Sequence, residues 1–153
     1  PPQASRKSSS SAPAGRPHAT HAPIASPAPT QTKDLSVVVV FYNMRREAER
    51  TLHSLSRSYQ RDIDDLDYEV IAIENGSSPD GSLGEEFVKS FGPEFHYLDL
   101  AEDASPSPAH ALNRGLEIAR GRSVAVMIDG AHVPPTVHRS CHVHDGGGVC
   151  TAG

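Results

Sequence analysis

The sequence predicts an α/β domain built on a parallel sheet of about four strands, and three observations lead there. Leu35 to Phe41 is a near-continuous β-branched run, the texture of a strand covered on both faces. Strand-like and helix-like segments then alternate as far as residue 128, the order that closes by right-handed crossovers into a parallel sheet with helices on both faces. Polar turn formers fall where the strands should end, at Tyr42-Asn43, Glu74-Asn75 and Asp129, and ligands of such sheets bind outside the carboxyl ends of the strands.

Each element has its own local signal. After the first strand, Asn43 is placed to cap a helix in which Met44, Ala48, Leu52, Leu55 and Tyr59 recur at steps of four and three, forming one apolar stripe. Arg45, Arg46, Glu47, Glu49 and Arg50 then face outward. The second strand, Tyr68 to Ile73, stops abruptly at Glu74-Asn75-Gly76-Ser77-Ser78-Pro79-Asp80. Ser82 and Glu85 have capping-box spacing and predict a short helix through Phe87, Val88 and Phe91. A third strand, Phe95 to Leu100, leads through a polar loop to a helix capped by Ser107 with Pro108 in its first turn and ended by Gly121. The fourth strand, Ser123 to Ile128, delivers Asp129 to its carboxyl end.

With 153 residues the chain has room for one domain. Residues 1–33 hold seven Pro, seven Ala and six Ser, too little apolar area to offset the entropy of ordering, and predict a disordered arm. Its four basic residues, Arg6, Lys7, Arg16 and Lys33, are too dilute for a membrane tether. The remainder carries all 19 carboxylates against ten Lys and Arg, so the folded part, expected over residues 34–133, is acidic. No clustered basic stripe follows residue 34, which argues against nucleic acid as a partner. The longest apolar run is far below the ~20 residues of a membrane span, and residues 1–33 lack the apolar core of a secretory signal. Two cysteines, Cys141 and Cys150, form no disulfide framework, and with these features predict a cytoplasmic chain. A first residue of proline fits a fragment of a longer product.

Three segments in this order resemble the family 2 glycosyltransferases. Residues 36–43, Ser-Val-Val-Val-Val-Phe-Tyr-Asn, are similar to the family's opening strand, with Val40 where a proline is usual. Residues 68–78, Tyr-Glu-Val-Ile-Ala-Ile-Glu-Asn-Gly-Ser-Ser, are similar to its second strand and acidic pair, with Asn75 in place of the second acid. Residues 111–129, from Ala-Leu-Asn-Arg-Gly to Asp129, are similar to the segment leading into its metal motif. The resemblance covers roughly 100 residues and implies a GT-A or Rossmann-like sheet whose partner is a nucleotide-diphospho-sugar, with an unknown acceptor.

By position, the resemblance gives Tyr42, Asn43, Glu74 and Asn75 contacts to the base and ribose. An aromatic face stacks on a base, and carboxylate or amide oxygens accept from base N–H groups or ribose hydroxyls. Asn113 and Arg114 precede the fourth strand; the arginine's planar fork suits diphosphate oxygens, and the asparagine suits a loop contact that shapes the pocket. The metal motif, Asp-x-Asp in the family, reads Asp129-Gly130-Ala131-His132. Asp129 and His132 are therefore the expected ligands of a divalent ion, Mn²⁺ or Mg²⁺, that would offset charge on the leaving diphosphate.

No catalytic base is visible, because the family's acceptor half supplies it. Residues 134–153 show no helical or strand period and predict an irregular tail. Its His138, Cys141, His142, His144 and Cys150 match no zinc-finger spacing. Two functions stay open: donor binding within a sugar transferase, or an inactive nucleotide-binding remnant. A different nucleotide-binding α/β protein is disfavoured, since no Gly-x-Gly-x-x-Gly follows the first strand and no Walker loop occurs.

Overall fold

A computed structural model of the protein describes residues 32–128, 130–143 and 149–151, the side chains of 142, 143 and 149–151 excepted. The elements run β1 (Lys33–Phe41), α1 (Arg45–Leu55), β2 (Tyr68–Glu74), α2 (Glu85–Lys89), β3 (Phe95–Asp99), a 3₁₀ turn (Ala101–Asp103), α3 (Pro108–Ile118), β4 (Gly121–Ile128), α4 (Val137–Val143) and β5 (Val149–Thr151). Strand order is β3-β2-β1-β4-β5, and every pairing is parallel. The α/β class, with a parallel sheet at its centre, stands. Most of the expected arm, residues 1–31, lies outside the described residues.

The chain enters at the middle of the sheet, moves outward through β2 and β3, then returns past β1 to β4. That reversal leaves a crevice between the carboxyl ends of β1 and β4, the switch point at which ligands of doubly wound sheets bind. Val40 faces Ile128 across it in register.

Because successive side chains of a strand point to opposite faces, β1 feeds two cores. Leu35, Val37, Val39 and Phe41 join Ala48, Leu52 and Leu55 of α1, Val88 of α2 and Cys141 of α4. Val38 and Val40 join Ile71, Ile73 and Ala111 of α3. A fully buried Val, Leu or Phe contributes about 1.5–3 kcal/mol, so this strand alone supplies much of the driving force for folding.

Several local expectations are corrected. Met44, not Asn43, is the first-turn boundary of α1, and its carbonyl accepts the Ala48 N–H at 2.8 Å. Asn43 has φ 54, a left-handed conformation, and its side chain bonds elsewhere. The Ser82–Glu85 capping box does not form; Gly84 precedes α2 and no side chain caps it. Gly121 opens β4 instead of closing α3, which ends at Ile118. Ser107 does cap α3, its Oγ accepting the Ala109 N–H at 3.3 Å, with Pro108 in the first turn.

Within residues 134–153, expected to be irregular, the described residues include α4 and β5. A seven-residue helix is too short for a visible period, and helices of that length are held by tertiary contacts rather than by propensity. Here Val137 and Cys141 pack into the core, and β5 extends the sheet by pairing with Val124 to Val126. Residues 144–148, His144 among them, lie outside the described residues. Among the described residues no helix is long and apolar enough to cross a membrane.

Candidate functional site

An open cavity of about 490 Å³ occupies the switch point. Val40 and Ile128 from the ends of β1 and β4 form its floor, Tyr42 one wall, and Asn75 with Gly76 the corner nearest β2. Ala104, Ser105 and Pro106 of the loop before α3, with Pro108 at the helix's first position, close the far side. Tyr42 is 59% exposed and Ile128 54%, two large apolar surfaces left facing solvent around one depression. Contiguous exposed apolar surface of this kind marks a binding site more often than a lone exposed residue does.

Asn75 fixes the wall opposite Tyr42. Its Nδ2 donates to the Ser105 carbonyl at 2.8 Å, and its Oδ1 accepts from the Ser105 N–H at 3.2 Å. The side chain thus acts as a short stretch of backbone, joining β2 to a loop that has no strand partner. Gly76 lets that loop approach: φ is +79°, and a Cβ there would lie 2.6 Å from the Ala104 Cβ.

Glu74 is placed differently from the expectation of a base contact. It pairs with Phe41 in register, on the α1 and α2 side of the sheet, while the cavity is lined by Val40 on the other side. The carboxylate is buried. Oε2 accepts the Leu83 N–H at 2.8 Å, and Oε1 accepts the Ser77 hydroxyl. Asn43 lies behind Tyr42 with its Oδ1 accepting from Ser78 N–H at 2.9 Å.

Neither residue of the α3 pair lines the cavity. Asn113 is exposed on the helix, and Arg114 is exposed and paired with Glu117 and, at 3.8 Å, with Asp103. The glycine beside them has a packing reason: a Cβ on Gly115 would overlap Val38 and come within 2.6 Å of Ile73, so α3 lies against the sheet at this point.

Of the two expected metal ligands, Asp129 lies outside the described residues. His132 is exposed, and its Nε2 meets the Tyr59 hydroxyl at 2.9 Å beyond the end of α1, the helix end remote from the cavity. Among the described residues no three His, Cys, Asp or Glu side chains come together as a metal site. The described donors do not fit a metal centre.

The strongly perturbed titratable groups sit at the opposite rim. Burial pushes the Glu69 carboxyl up, but hydrogen bonds from Ser36 and Arg120 outweigh it and hold the group below its ordinary value. Burial lowers His138 from 6.5 to about 4. Burial, followed by the Glu94 charge, raises the Tyr68 phenol above its usual range. Such shifts often flag active sites, yet Tyr68 and Glu69 are enclosed at the start of β2 and His138 in α4, where they hold the fold together.

Sequence reasoning therefore found Tyr42 and Asn75 at the cavity and missed the loop Ala104 to Pro106. That loop carried a signal, as the polar stretch before α3, but nothing in its composition says that it folds back over β2.

A parallel sheet with a cavity at its switch point, and with Tyr42 and Asn75 just past the ends of β1 and β2, is an α/β domain of the GT-A kind. Residues 36–135 match the model of glycosyl transferase family 2, and the chain belongs to that family. It is 28% identical over 109 residues to the glycosyltransferase YibD of Escherichia coli (strain K12), covering 71% of this chain and 29% of that protein. Crystal structures of TarS 1-349 from S. aureus are similar in fold. One has a TM-score of 0.61 at 22% identity over 72% of this chain and 31% of that one. Another, in complex with UDP, has a TM-score of 0.61 at 20% identity with the same coverage. The chain thus spans about three tenths of the length of these relatives.

Proposed function

We propose that this domain binds the nucleotide part of a nucleotide-diphospho-sugar and serves an enzyme that transfers the sugar to an acceptor. The observation that carries the reading is the cavity between β1 and β4, walled by an exposed tyrosine and floored by aliphatic side chains, in a chain of glycosyl transferase family 2. The complex of TarS with UDP supports it by fold likeness.

The roles follow from the surfaces available. The Tyr42 ring offers a face on which a base stacks, a contact worth roughly 1–3 kcal/mol per base in nucleic-acid complexes. Val40, Ile128, Pro106 and Pro108 exclude water from the other faces of the base. Asn75 holds the Ser105 loop closed over it, acting on the ligand through the loop. Asp129, which follows Ile128 in the sequence, is the candidate partner for a diphosphate or a divalent ion such as Mn²⁺ or Mg²⁺. Asn113 and Arg114 have no role at the cavity in this reading. The setting we assign is cytoplasmic, on the cysteine usage.

A second reading, a domain that binds nucleotide without transfer, is favoured by one observation. Ala131 stands where the family's second metal carboxylate would be, and His132 is engaged with Tyr59.

Following the unfolding midpoint during titration with UDP and GDP, with and without Mn²⁺, separates the possibilities. A ligand that binds only the folded state at a hundred times its Kd adds about 2.7 kcal/mol of stability. Stabilisation that grows with Mn²⁺ supports a working donor site, and stabilisation indifferent to metal favours the non-transferring reading. No shift with either nucleotide, at millimolar concentration, rejects both.

A further inference from the structure

Resting on the donor-binding reading, we propose that Glu74 is a positioning residue, acting through Ser77 and Asn43 to hold Tyr42 as a wall of the cavity without meeting the nucleotide itself. The period of the strand is the first argument. Ala72 and Phe41, with which Glu74 shares a face, lie in the core beneath α1 and α2, whereas Val40 and Ile73 lie on the cavity side. Glu74 is 1% exposed, and both its oxygens are occupied within the protein.

The second argument is the chain of bonds that starts from it. The Ser77 hydroxyl donates its one proton to the Glu74 carboxylate and offers its lone pairs to the Asn43 N–H at 2.7 Å. Hydrogen bonds linked in a chain polarise one another, so each strengthens the next. Asn43 returns the connection, its Oδ1 accepting from the Ser78 N–H at 2.9 Å and the Ser78 hydroxyl at 3.0 Å. The turn after β1 is thereby tied to the loop after β2 through both its backbone and its side chain.

The tie bears on the turn because Asn43 has φ 54, a left-handed conformation that asparagine tolerates better than most L residues and that local hydrogen bonds hold in place. Without the Ser77 bond only the Ser78 bonds hold the turn, and it relaxes more readily toward ordinary dihedrals. Tyr42, the preceding residue, would move with it and leave the cavity without its aromatic wall.

The test measures two quantities on the parent chain, Ser77→Ala, Ser77→Thr and Glu74→Gln: affinity for UDP and GDP by calorimetry, and amide hydrogen exchange at Asn43 and Leu83. Ser77→Ala is expected to weaken nucleotide binding about tenfold, the usual scale for losing one hydrogen bond to a charged group, and to speed exchange at Asn43 by a similar factor. Ser77→Thr, which keeps the hydroxyl, restores both. Glu74→Gln stays within about threefold in affinity: its carbonyl oxygen accepts from Leu83 N–H, and its amide N–H turns to the Ser77 oxygen.

A loss of tenfold or more in Glu74→Gln with exchange at Asn43 unchanged would show direct contact with the ligand and overturn the proposal. So would Ser77→Ala binding nucleotide like the parent. If the parent binds neither UDP nor GDP, the donor-binding reading falls. The exchange data then still decide the tie, which is upheld if Ser77→Ala exposes the Asn43 amide and overturned if it does not.

Discussion

Strand β2 ends in a buried glutamate at either rim, and the two are held in opposite ways. At the amino-terminal rim Glu69 shares the α3 face with Ser36, its register partner. Its carboxylate takes the Ser36 hydroxyl at 2.7 Å, the Arg120 N–H at 2.8 Å and the Arg120 guanidinium at 2.6 Å. At the carboxyl-terminal rim Glu74 takes one backbone N–H and one hydroxyl, both neutral donors. The first pairing joins β1, β2 and the start of β4; the second joins two loops beside the cavity. The same residue type thus joins strands of the sheet at one end and two loops beside the cavity at the other.

The largest effect is expected at the amino-terminal rim. Glu69→Leu removes the acceptor for Ser36 and for three donors of Arg120, leaving a partly buried guanidinium without its carboxylate. Leaving one partner of such a pair uncompensated costs about 3–5 kcal/mol when both are buried. The half-exposed Arg120 side chain brings the expectation down to about 2–3 kcal/mol. Denaturant unfolding reads it. A midpoint equal to that of the parent would mean that the rim is held by strand pairing alone, and the contrast between the two glutamates would lose its basis.

The same rim gives the protein an acid limit. His138 is 1% exposed, donates from Nε2 to the Leu55 carbonyl at 3.0 Å, and packs edge-on against Tyr68 with ring centroids 4.6 Å apart. Burial lowers its pKa from 6.5 to about 4, so between those values the unfolded chain binds more protons than the folded one. Stability is therefore complete above pH 6.5 and declines as pH falls toward 4, by about 3 kcal/mol in all. Glu69, lowered from 4.5, continues the loss below that pH. His138→Phe keeps a ring against Tyr68 and should flatten the decline between pH 6.5 and 4.5. A decline of unchanged slope in that variant would assign the acid limit to other groups.

These contrasts also explain what the sequence could and could not reveal. The strands were legible because burial on both faces writes itself as runs such as Val37 to Phe41, and the capping of α3 because Ser107-Pro108 is a local signal. Tyr42 and Asn75 were found at the cavity through their place at strand ends. Glu74 was assigned to the ligand by the same logic, but a strand's last residue points to one face or the other, and one step of the pleat separates Glu74 from Asn75. The partners that fix it, Ser77 and Leu83, are loop residues whose bonds form only after the chain has turned. Helix α4 escaped notice because its stabilisation comes from contacts with α1 and β1, distant in sequence.

The smallest expected effect on stability belongs to Tyr42, and it separates the two rims most sharply. With more than half of its surface exposed, Tyr42→Ala removes little buried area and should shift the unfolding free energy by less than about 0.5 kcal/mol, as surface substitutions generally do. Its effect on nucleotide affinity should be far larger, about fivefold to a hundredfold, because the stacked base loses its aromatic partner. Tyr42→Phe, which keeps the ring face, should bind UDP nearly as the parent does. Calorimetric titration of the three proteins, alongside denaturant unfolding, yields both quantities. An affinity for UDP indifferent to Tyr42→Ala would remove the aromatic wall from the donor site and move the search for the base to the Ser105 loop. Loss of stability without loss of affinity would place Tyr42 with Glu69, among the residues that hold the sheet rather than those that serve the cavity.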